Sequence, residues 1–400
     1  MANSSTRGRG TTAKGITLIY AQILPVMAIV SLFAAIPKLF AQFGGMPHAA
    51  FLIPAIVTIP SLCAALFAPL AGIVADRYGR RRSFIAGMAL YGLTGMVPLF
   101  TESLIVIMAS RAVLGIAEGF AITISSALIG DYFGERRHRW TAWVGVATSI
   151  AGTGLIAVGG VLADISWRGP FSIYLAAIPG LIMVILFIDE PIEEPRSGEP
   201  ANRHRLGYPW RKAAIIGAVT LVASLIYYVE PLHIARMLDL RGAGSATRIG
   251  LIQATTSLAY IAGAFLYRRM HARPIGVLLA IAAVLIGAGQ IIIGLGGTWP
   301  AVAAGAAVQQ LGGGMIIPAL LAWGQAILPL EQRARGMGIW TTAFFTGTFL
   351  CSPMVGLIAG VLDTLPGAML AMGAVSLVAA LLAPILVRSS IAPTRAPSAS

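Results

Sequence analysis

Long apolar segments recur along the whole chain, and each has about the length that a membrane-crossing helix requires. A helix needs roughly 20 mostly apolar residues to cross the hydrocarbon core of a bilayer. Twelve segments qualify, at about 15–37, 48–75, 83–100, 103–129, 141–163, 170–188, 212–235, 247–267, 274–295, 299–327, 335–361 and 367–387. Alternation of period two is absent, so we expect helices, whose backbone groups bond within their own segment.

Composition excludes a water-soluble protein. Of the 400 residues, 57% are hydrophobic and 11% are charged, whereas soluble domains carry about 25% charged residues. Lipid must therefore solvate much of the chain. The net charge of +13 is spread over short connectors and not gathered on one domain, so no nucleic-acid partner is expected.

The distribution of basic residues predicts the topology. If the twelve segments are helices, 22 of the 28 lysines and arginines fall on the side that holds both termini. The opposite connectors hold Lys38, Arg168, Arg236, Arg241 and Arg248. Short basic connectors stay in the cytoplasm. We therefore predict an integral protein of the bacterial inner membrane with both termini cytoplasmic.

The longest polar stretch divides the chain into two halves of six segments. Residues 189–211 are rich in Glu, Pro, Ser, Gly and basic residues, a composition typical of a solvated linker. The predicted domains are an N-terminal six-helix bundle (1–188), a cytoplasmic linker (189–211) and a C-terminal six-helix bundle (212–400). The expected fold is thus an all-α membrane protein of twelve transmembrane helices in two six-helix pseudo-repeats.

The two halves share short patterns. Gly72 to Arg82 has a degraded counterpart in Gly263 to Arg273, in which Tyr267 replaces the acidic residue. A second pair of connectors, beginning at Glu135 and Glu331, matches at nearly the same offset. Matches at one offset indicate an internal repeat, and joined repeats of this kind are typical of transporters.

One connector carries a specific motif. Between the second and third segments the chain reads Gly72-Ile-Val-Ala-Asp76-Arg77-Tyr-Gly79-Arg80-Arg81-Arg82. This pattern resembles the cytoplasmic loop motif of the major facilitator superfamily, and the segment count, linker and repeat agree with that family. The resemblance implies a cytoplasmic latch formed by Gly72, Asp76, Arg77, Gly79, Arg80 and Asp131.

The resemblance also implies roles within that latch. Gly72 would permit a close helix contact. Asp76 would face the N-terminus of the eleventh segment, where a helix dipole favours a carboxylate. Arg80 would bridge Asp76 to Asp131. The alternative is a basic loop that only sets topology.

The fourth segment contains two ionisable residues. Arg111 and Glu118 lie seven residues apart, nearly two helical turns, and so share one face. Charges at this depth cost several kcal/mol unless they are paired or face water. Arg111 through Gly119 resembles the family's motif associated with proton coupling. Arg111, Glu118 and, in the seventh segment, Glu230 are the proton-coupling candidates; a merely structural Arg111–Glu118 pair is the alternative.

Other polar residues are candidates for a substrate cavity. These are Tyr20, Gln22, Tyr227, Gln253 and Gln309. The alternative for each is a hydrogen bond between helices. For Tyr227, an anchor at the membrane interface is a further alternative. Pro231 removes a backbone hydrogen bond from the seventh segment and is a candidate gating site. Gly312, Gly313 and Gly314, followed by Pro318, indicate a deformable tenth segment.

No motif of an enzyme is present, so no catalytic residues, cofactor or metal site are predicted. Gly145, Gly152 and Gly159 resemble the antiporter motif of drug–proton exchangers, although Leu155 and Ile156 replace its Gly-Pro pair. The alternative for these glycines is generic close packing of helices. The leading hypothesis is a monomeric secondary transporter, similar to the drug–proton antiporter branch, that exports a small amphipathic compound in exchange for protons. Proton-coupled uptake of a small metabolite or siderophore-like solute is the alternative; a non-transporting membrane sensor is a remote one.

Overall fold

The computed structural model describes residues 3–47, 49–191, 210–327 and 333–391. All regular secondary structure in these ranges is helical. Thirteen α-helices follow one another: α1 Asn3–Phe33, α2 Ile36–Phe43, α3 Ala49–Tyr78, α4 Arg80–Met96, α5 Leu104–Phe133, α6 Arg137–Ile165, α7 Ala177–Phe187, α8 Trp210–Leu240, α9 Ala246–Met270, α10 Ile275–Leu295, α11 Trp299–Ile327, α12 Arg333–Val361 and α13 Leu365–Ile391. Most of the predicted linker, and Glu331 of the predicted repeat, lie outside the described residues.

Eleven stretches within the described residues are long and apolar enough to cross a membrane. They confirm an all-helical membrane protein. The predicted third segment, 83–100, is the 17-residue helix α4, followed by a single 3₁₀ turn at Val97–Leu99. The predicted sixth segment, 170–188, is a 3₁₀ stretch, Gly169–Ala176, that continues into α7.

The chain folds as two compact units. Unit 1 comprises Met1–His204 together with Ala243–Ala254, and unit 2 comprises Arg205–Gly242 together with Thr255–Ser400. The beginning of α9 thus belongs to unit 1, which a division at the linker alone does not anticipate. The predicted domain boundaries otherwise stay a prediction.

Glycines set how closely the helices of unit 1 approach. A methyl group at Gly115 of α5 would lie 2.2 Å from the Pro60 carbonyl oxygen of α3. At Gly159 of α6 it would lie 2.1 Å from the Ser31 carbonyl oxygen of α1. These backbones touch because no side chain separates them. By contrast, a methyl at Gly145 would meet nothing within 4 Å, so the predicted glycine stripe of α6 packs at only part of its length.

Three consecutive glycines of α11 each face a different helix of unit 2. An added methyl would lie 2.6 Å from the Ala282 carbonyl of α10 at Gly312, 2.3 Å from the Tyr227 ring of α8 at Gly313, and 2.0 Å from the Tyr260 carbonyl of α9 at Gly314. The triplet predicted as a deformable point is therefore a three-way packing point.

Substitution of Gly159 tests the α1–α6 contact. Gly159→Ala places a methyl against the Ser31 carbonyl, and overpacking of this kind costs about 1–3 kcal/mol. We expect a lower apparent Tm in detergent. Gly154→Ala on the same helix is the matched control, since its methyl meets nothing within 4 Å and should leave Tm unchanged or raise it. Equal Tm values for the two variants would contradict the close contact.

Candidate functional site

The turn between α3 and α4 depends on Gly79. Its φ is +94°, a conformation that side chains rarely adopt, and an added Cβ would lie 2.9 Å from Glu190 Oε2. Glu190 follows α7 in the chain and accepts hydrogen bonds from the backbone N–H groups of Arg80 and Arg81. Its carboxylate thereby caps the first turn of α4, where free N–H groups favour a negative charge.

Arg80 lies between two carboxylates, as the resemblance implies. Its guanidinium is hydrogen-bonded to Asp131 at the end of α5, and its Nη2 lies 3.6 Å from Asp76 Oδ1. The Asp131 side chain is 29% exposed and that of Asp76 is 72% exposed. Asp131 therefore anchors Arg80, while Asp76 remains available to solvent. The predicted placement of Asp76 against the eleventh segment stays a prediction.

Two other members of the predicted latch have local roles. The guanidinium of Arg77 lies 5.5 Å from the centre of the neighbouring Tyr78 ring. A methyl at Gly72 would meet only Thr123 Cγ2, at 3.9 Å. This is an ordinary van der Waals distance, so Gly72 has no close contact within unit 1 among the described residues, and the close helix contact expected there stays a prediction.

The sequence did not predict a second set of contacts around this turn, which involves the end of α7 and the two acidic residues after it. Arg81 donates from Nε to the Ile188 carbonyl at 2.7 Å and from Nη2 to the Ile185 carbonyl at 2.9 Å, and so caps the end of α7. Lys14 forms a 2.7 Å salt bridge with Asp189. The signal in the sequence was a pair of acidic residues directly after an apolar segment. That signal does not show that Asp189 contacts α1 and Glu190 contacts α4, because only the fold brings them together.

Arg111 is fully buried in α5. Its Nη2 donates a hydrogen bond to the Tyr174 hydroxyl, which in turn donates to the Ala28 carbonyl of α1 at 3.0 Å. The guanidinium also lies 4.5 Å from the centre of the Tyr174 ring, within the range of a cation–π interaction. An aromatic hydroxyl and ring, and not a carboxylate, hold this buried cation.

Glu118 is buried further along the same helix, but it does not pair with Arg111. Between these two described side chains the structure has no salt bridge, so the alternative of a structural ion pair is wrong. Glu118 Oε1 and Arg111 Nε and Nη1 have no hydrogen-bond partner among the described residues. Buried polar atoms of this kind are normally satisfied by water or a ligand, so the two side chains have unused bonding capacity inside unit 1.

Glu230 is the buried acid of unit 2. It is 2% exposed, and its Oε2 accepts a 2.7 Å hydrogen bond from Gln310 Nε2 of α11. His233, 7% exposed, lies one turn further along α8 and bonds through Nδ1 to the Val229 carbonyl at 2.9 Å. An uncharged amide is thus the recorded partner of this carboxyl.

Aromatic rings form a continuous run through unit 2. Successive ring centres lie 5.0–6.4 Å apart, in the order Trp340, Phe344, Tyr228, Tyr227 and Tyr260. The three tyrosines are partly exposed, whereas Trp340 and Phe344 are buried. The run thus combines flat apolar ring faces with the hydroxyl groups of three tyrosines.

Most of the predicted cavity residues form hydrogen bonds to other helical segments. Tyr20 donates to the Ala176 carbonyl at 2.8 Å, Gln22 donates to the Ser126 hydroxyl at 3.1 Å, and Gln309 donates to the Tyr227 carbonyl at 2.7 Å. Gln253 is buried in α9. Arg111 and Glu118 lie in unit 1 and Glu230 in unit 2, so each unit contains a proton-coupling candidate of its own.

Asp164 was not predicted and caps a helix. At the end of α6 its two carboxylate oxygens accept from the N–H groups of Ala246 and Thr247, at 2.9 and 2.8 Å, and Lys38 lies 3.4 Å away. This contact fixes the first turn of α9. Within the described residues no group of His, Cys, Asp or Glu side chains is arranged to hold a metal ion.

Long apolar helices around buried charges define a polytopic membrane protein of the transporter class. The model of the Major Facilitator Superfamily matches residues 18–238 and 213–400, and the chain belongs to this family, which comprises membrane transporters and not enzymes.

Several curated relatives are similar over part of the chain. Drug efflux pump JefA of Mycobacterium tuberculosis is 29% identical over 158 residues, covering 38% of this chain and 30% of the relative. Multidrug transporter protein MdtP of Bacillus subtilis is 27% identical, covering 48% and 34%. Tetracycline resistance protein, class B, of Escherichia coli is 25% identical, covering 41% of each. The matched region thus spans less than half the length of these relatives.

Solved structures share the fold. A D-xylose-proton symporter aligns with a TM-score of 0.74 at 14% identity, covering 96% of this chain and 98% of that one. A transporter of the POT family in complex with a thioalcohol-conjugated peptide gives 0.74 at 13% identity, covering 96% and 97%. At these identities the likeness concerns the fold alone.

The different exposures of Asp76 and Asp131 predict different phenotypes. Asp131→Asn removes the anchor of Arg80, and we expect an apparent Tm a few degrees lower, since a partly buried charge pair contributes about 1 kcal/mol. Asp76→Asn should leave Tm and membrane expression unchanged but slow turnover in a flux assay. Equal loss of membrane expression in both variants would contradict this division of roles.

Proposed function

We propose that this protein is a proton-coupled exporter of small amphipathic compounds that works by alternating access. The observation that carries the proposal is Glu118, a buried carboxyl with an unpartnered oxygen and no salt bridge to the buried Arg111 of its own helix. When a proton, water or substrate reaches a carboxyl in such a place, the carboxyl can change its charge without first breaking a salt bridge.

The relatives support the direction of transport. Three of the proteins to which the chain is similar are named for drug efflux, multidrug transport or tetracycline resistance. The aromatic run of unit 2 supports the substrate class, because partly exposed tyrosine rings offer flat apolar faces with a polar group at one end, which suits amphipathic molecules.

Proton coupling requires that protonation and substrate occupancy influence each other. We assign Glu118 as the first candidate for the proton carrier and Glu230 as the second, with Arg111 holding the environment of Glu118 cationic. The protein acts as a monomer in the bacterial inner membrane and needs no cofactor.

Flux in oriented proteoliposomes tests the assignment. With ethidium or tetracycline as the probe, we expect an imposed pH gradient to drive export, and Glu118→Gln to lower gradient-driven flux at least about tenfold, as expected for loss of a group that takes part in the reaction itself. Glu230→Gln is compared in parallel. Glu102→Gln is the matched control, because Glu102 is an exposed acid that pairs with Arg168.

The outcomes separate the possibilities. Unchanged gradient-driven flux in Glu118→Gln would remove that residue as the essential carrier. Flux that ignores both pH and voltage would remove proton coupling. Accumulation in the direction of uptake would instead favour an importer, and specific binding without movement of solute would favour a sensor.

The proposed topology has its own test. Single cysteines are introduced at the exposed positions Tyr78 and Phe100, in a variant in which Cys63 and Cys351 are replaced by Ala. If the α3–α4 turn is cytoplasmic, a membrane-impermeant maleimide should label position 100 in intact cells and position 78 only after lysis. The reverse pattern would invert the topology.

A further inference from the structure

The backbone of α8 has an acceptor that the helix itself does not use. In an α-helix the N–H of residue i donates to the carbonyl of residue i−4. Position 231 is a proline inside α8 and has no N–H, so the Tyr227 carbonyl receives no bond from it. In a membrane such a carbonyl needs another donor, because no bulk water reaches it.

Gln309 of α11 supplies that donor. Its Nε2 lies 2.7 Å from the Tyr227 carbonyl oxygen, and the side chain is fully buried. The neighbouring Gln310 donates to Glu230, the residue directly before the proline. Two adjacent amides of α11 therefore bond to the turn of α8 that ends at Pro231, one to its unused backbone carbonyl and one to the Glu230 side chain.

The packing around Gln309 leaves it little freedom to move away. A methyl at Gly289 of α10 would lie 2.5 Å from the Gln309 backbone nitrogen, and one at Gly313 would lie 2.3 Å from the Tyr227 ring. Glycine at both positions lets α11 approach α10 and α8 at the level of the break. The amide is thus held where the unused carbonyl is.

We propose that Gln309 is a positioning residue that replaces the hydrogen bond withheld by Pro231 and so ties the broken segment of α8, with Glu230 beside it, to α11. If the bend of α8 changes, either α11 must move with it or the hydrogen bond from Gln309 to the Tyr227 carbonyl must be replaced by another. The functional part of this inference rests on the proposed transport activity. The bond exchange itself does not.

Ionisable groups on the surrounding helices do not account for the contact. The sequences of α10 and α11 contain no ionisable side chain. Those of α12 are Arg333 and Arg335 in its first turn and Cys351, and that of α13 is Arg388 near its end. The recorded hydrogen bonds that α8 receives near Pro231 from α10 and α11 come from neutral amides.

A double-mutant cycle on unfolding tests the exchange. Gln309→Leu keeps a similar volume and removes the amide, so we expect the apparent Tm in detergent to fall by roughly 1–4 °C, the scale of one lost buried hydrogen bond in a chain of this length. In Pro231→Ala the new N–H of residue 231 can bond the Tyr227 carbonyl. Adding Gln309→Leu to that background should lower Tm by less than about a third as much.

Gln290→Leu is the matched control. Gln290 is also a fully buried amide, and it donates to the adjacent Ile226 carbonyl at 2.6 Å. That carbonyl keeps its helical donor, because Glu230 has an N–H. The effect of Gln290→Leu on Tm should therefore be the same in the wild-type background and in the Pro231→Ala background. Additive effects of Gln309→Leu and Pro231→Ala, or equal coupling for Gln290, would overturn the inference.

Expression and flux supply two further readouts. If Gln309→Leu alone does not fold, recovery of folded protein by Pro231→Ala supports the exchange, and failure to recover counts against it. In proteoliposomes Gln309→Leu should lower the maximal rate at least about fivefold with KM changed less than about twofold, the pattern of a residue that acts on a conformational step. Wild-type protein without any flux would refute the proposed function, while the unfolding cycle still decides the hydrogen bond.

Discussion

The absence of water from the hydrocarbon core is the constraint on which the rest of this structure depends. Every polar group placed there must find its partner within the protein. Arg111 finds the hydroxyl and ring of Tyr174, and the Tyr227 carbonyl finds Gln309. Glu118 finds no partner for Oε1 among the described residues. Arg111 Nε and Nη1, on the same helix, also lack a partner among the described residues. Unsatisfied groups are costly at this depth, so a proton, water or substrate that reaches these ionisable groups would bind favourably.

The two units differ at one pair of corresponding turns outside the hydrocarbon core. In unit 1 the charged turn between α3 and α4 is tied to α5 through Arg80 and to the end of α7 through Arg81 and Glu190. The corresponding turn of unit 2 has Tyr267 in place of Asp76, and its recorded contact is a local bond from His271 to the Arg268 carbonyl. Within the described residues, the turn of unit 1 therefore has a charge network, and the corresponding turn of unit 2 has no salt bridge.

Much of the fold could be predicted from the sequence, because the length of an apolar segment and the spacing of charges are local properties. The all-helical membrane architecture follows from them, whereas the family and the position of Arg80 between two carboxylates were implied by the resemblance of the Gly72–Arg82 motif. Whether Arg111 pairs with Glu118 could not be predicted in this way, because a spacing of seven residues fixes a shared face but not what the side chains contact. Glu190 and Asp164 were missed, and the particular partner of Gln309 was not predicted, because their partners are 82 or more residues away and are backbone groups, which leave no pattern in side-chain sequence.

The partner of Glu230 bears on how a buried acid can change its charge. A guanidinium donates only, and beside a carboxyl it favours the ionised form alone. An amide both donates and accepts. Gln310 therefore donates to a carboxylate, as it does here, and after a rotation of its side chain it accepts from a protonated carboxyl. The same neighbour can therefore form a hydrogen bond with either state of the carboxyl. An amide at this position thus permits titration of Glu230 within a packed helix interface, which a salt bridge would oppose.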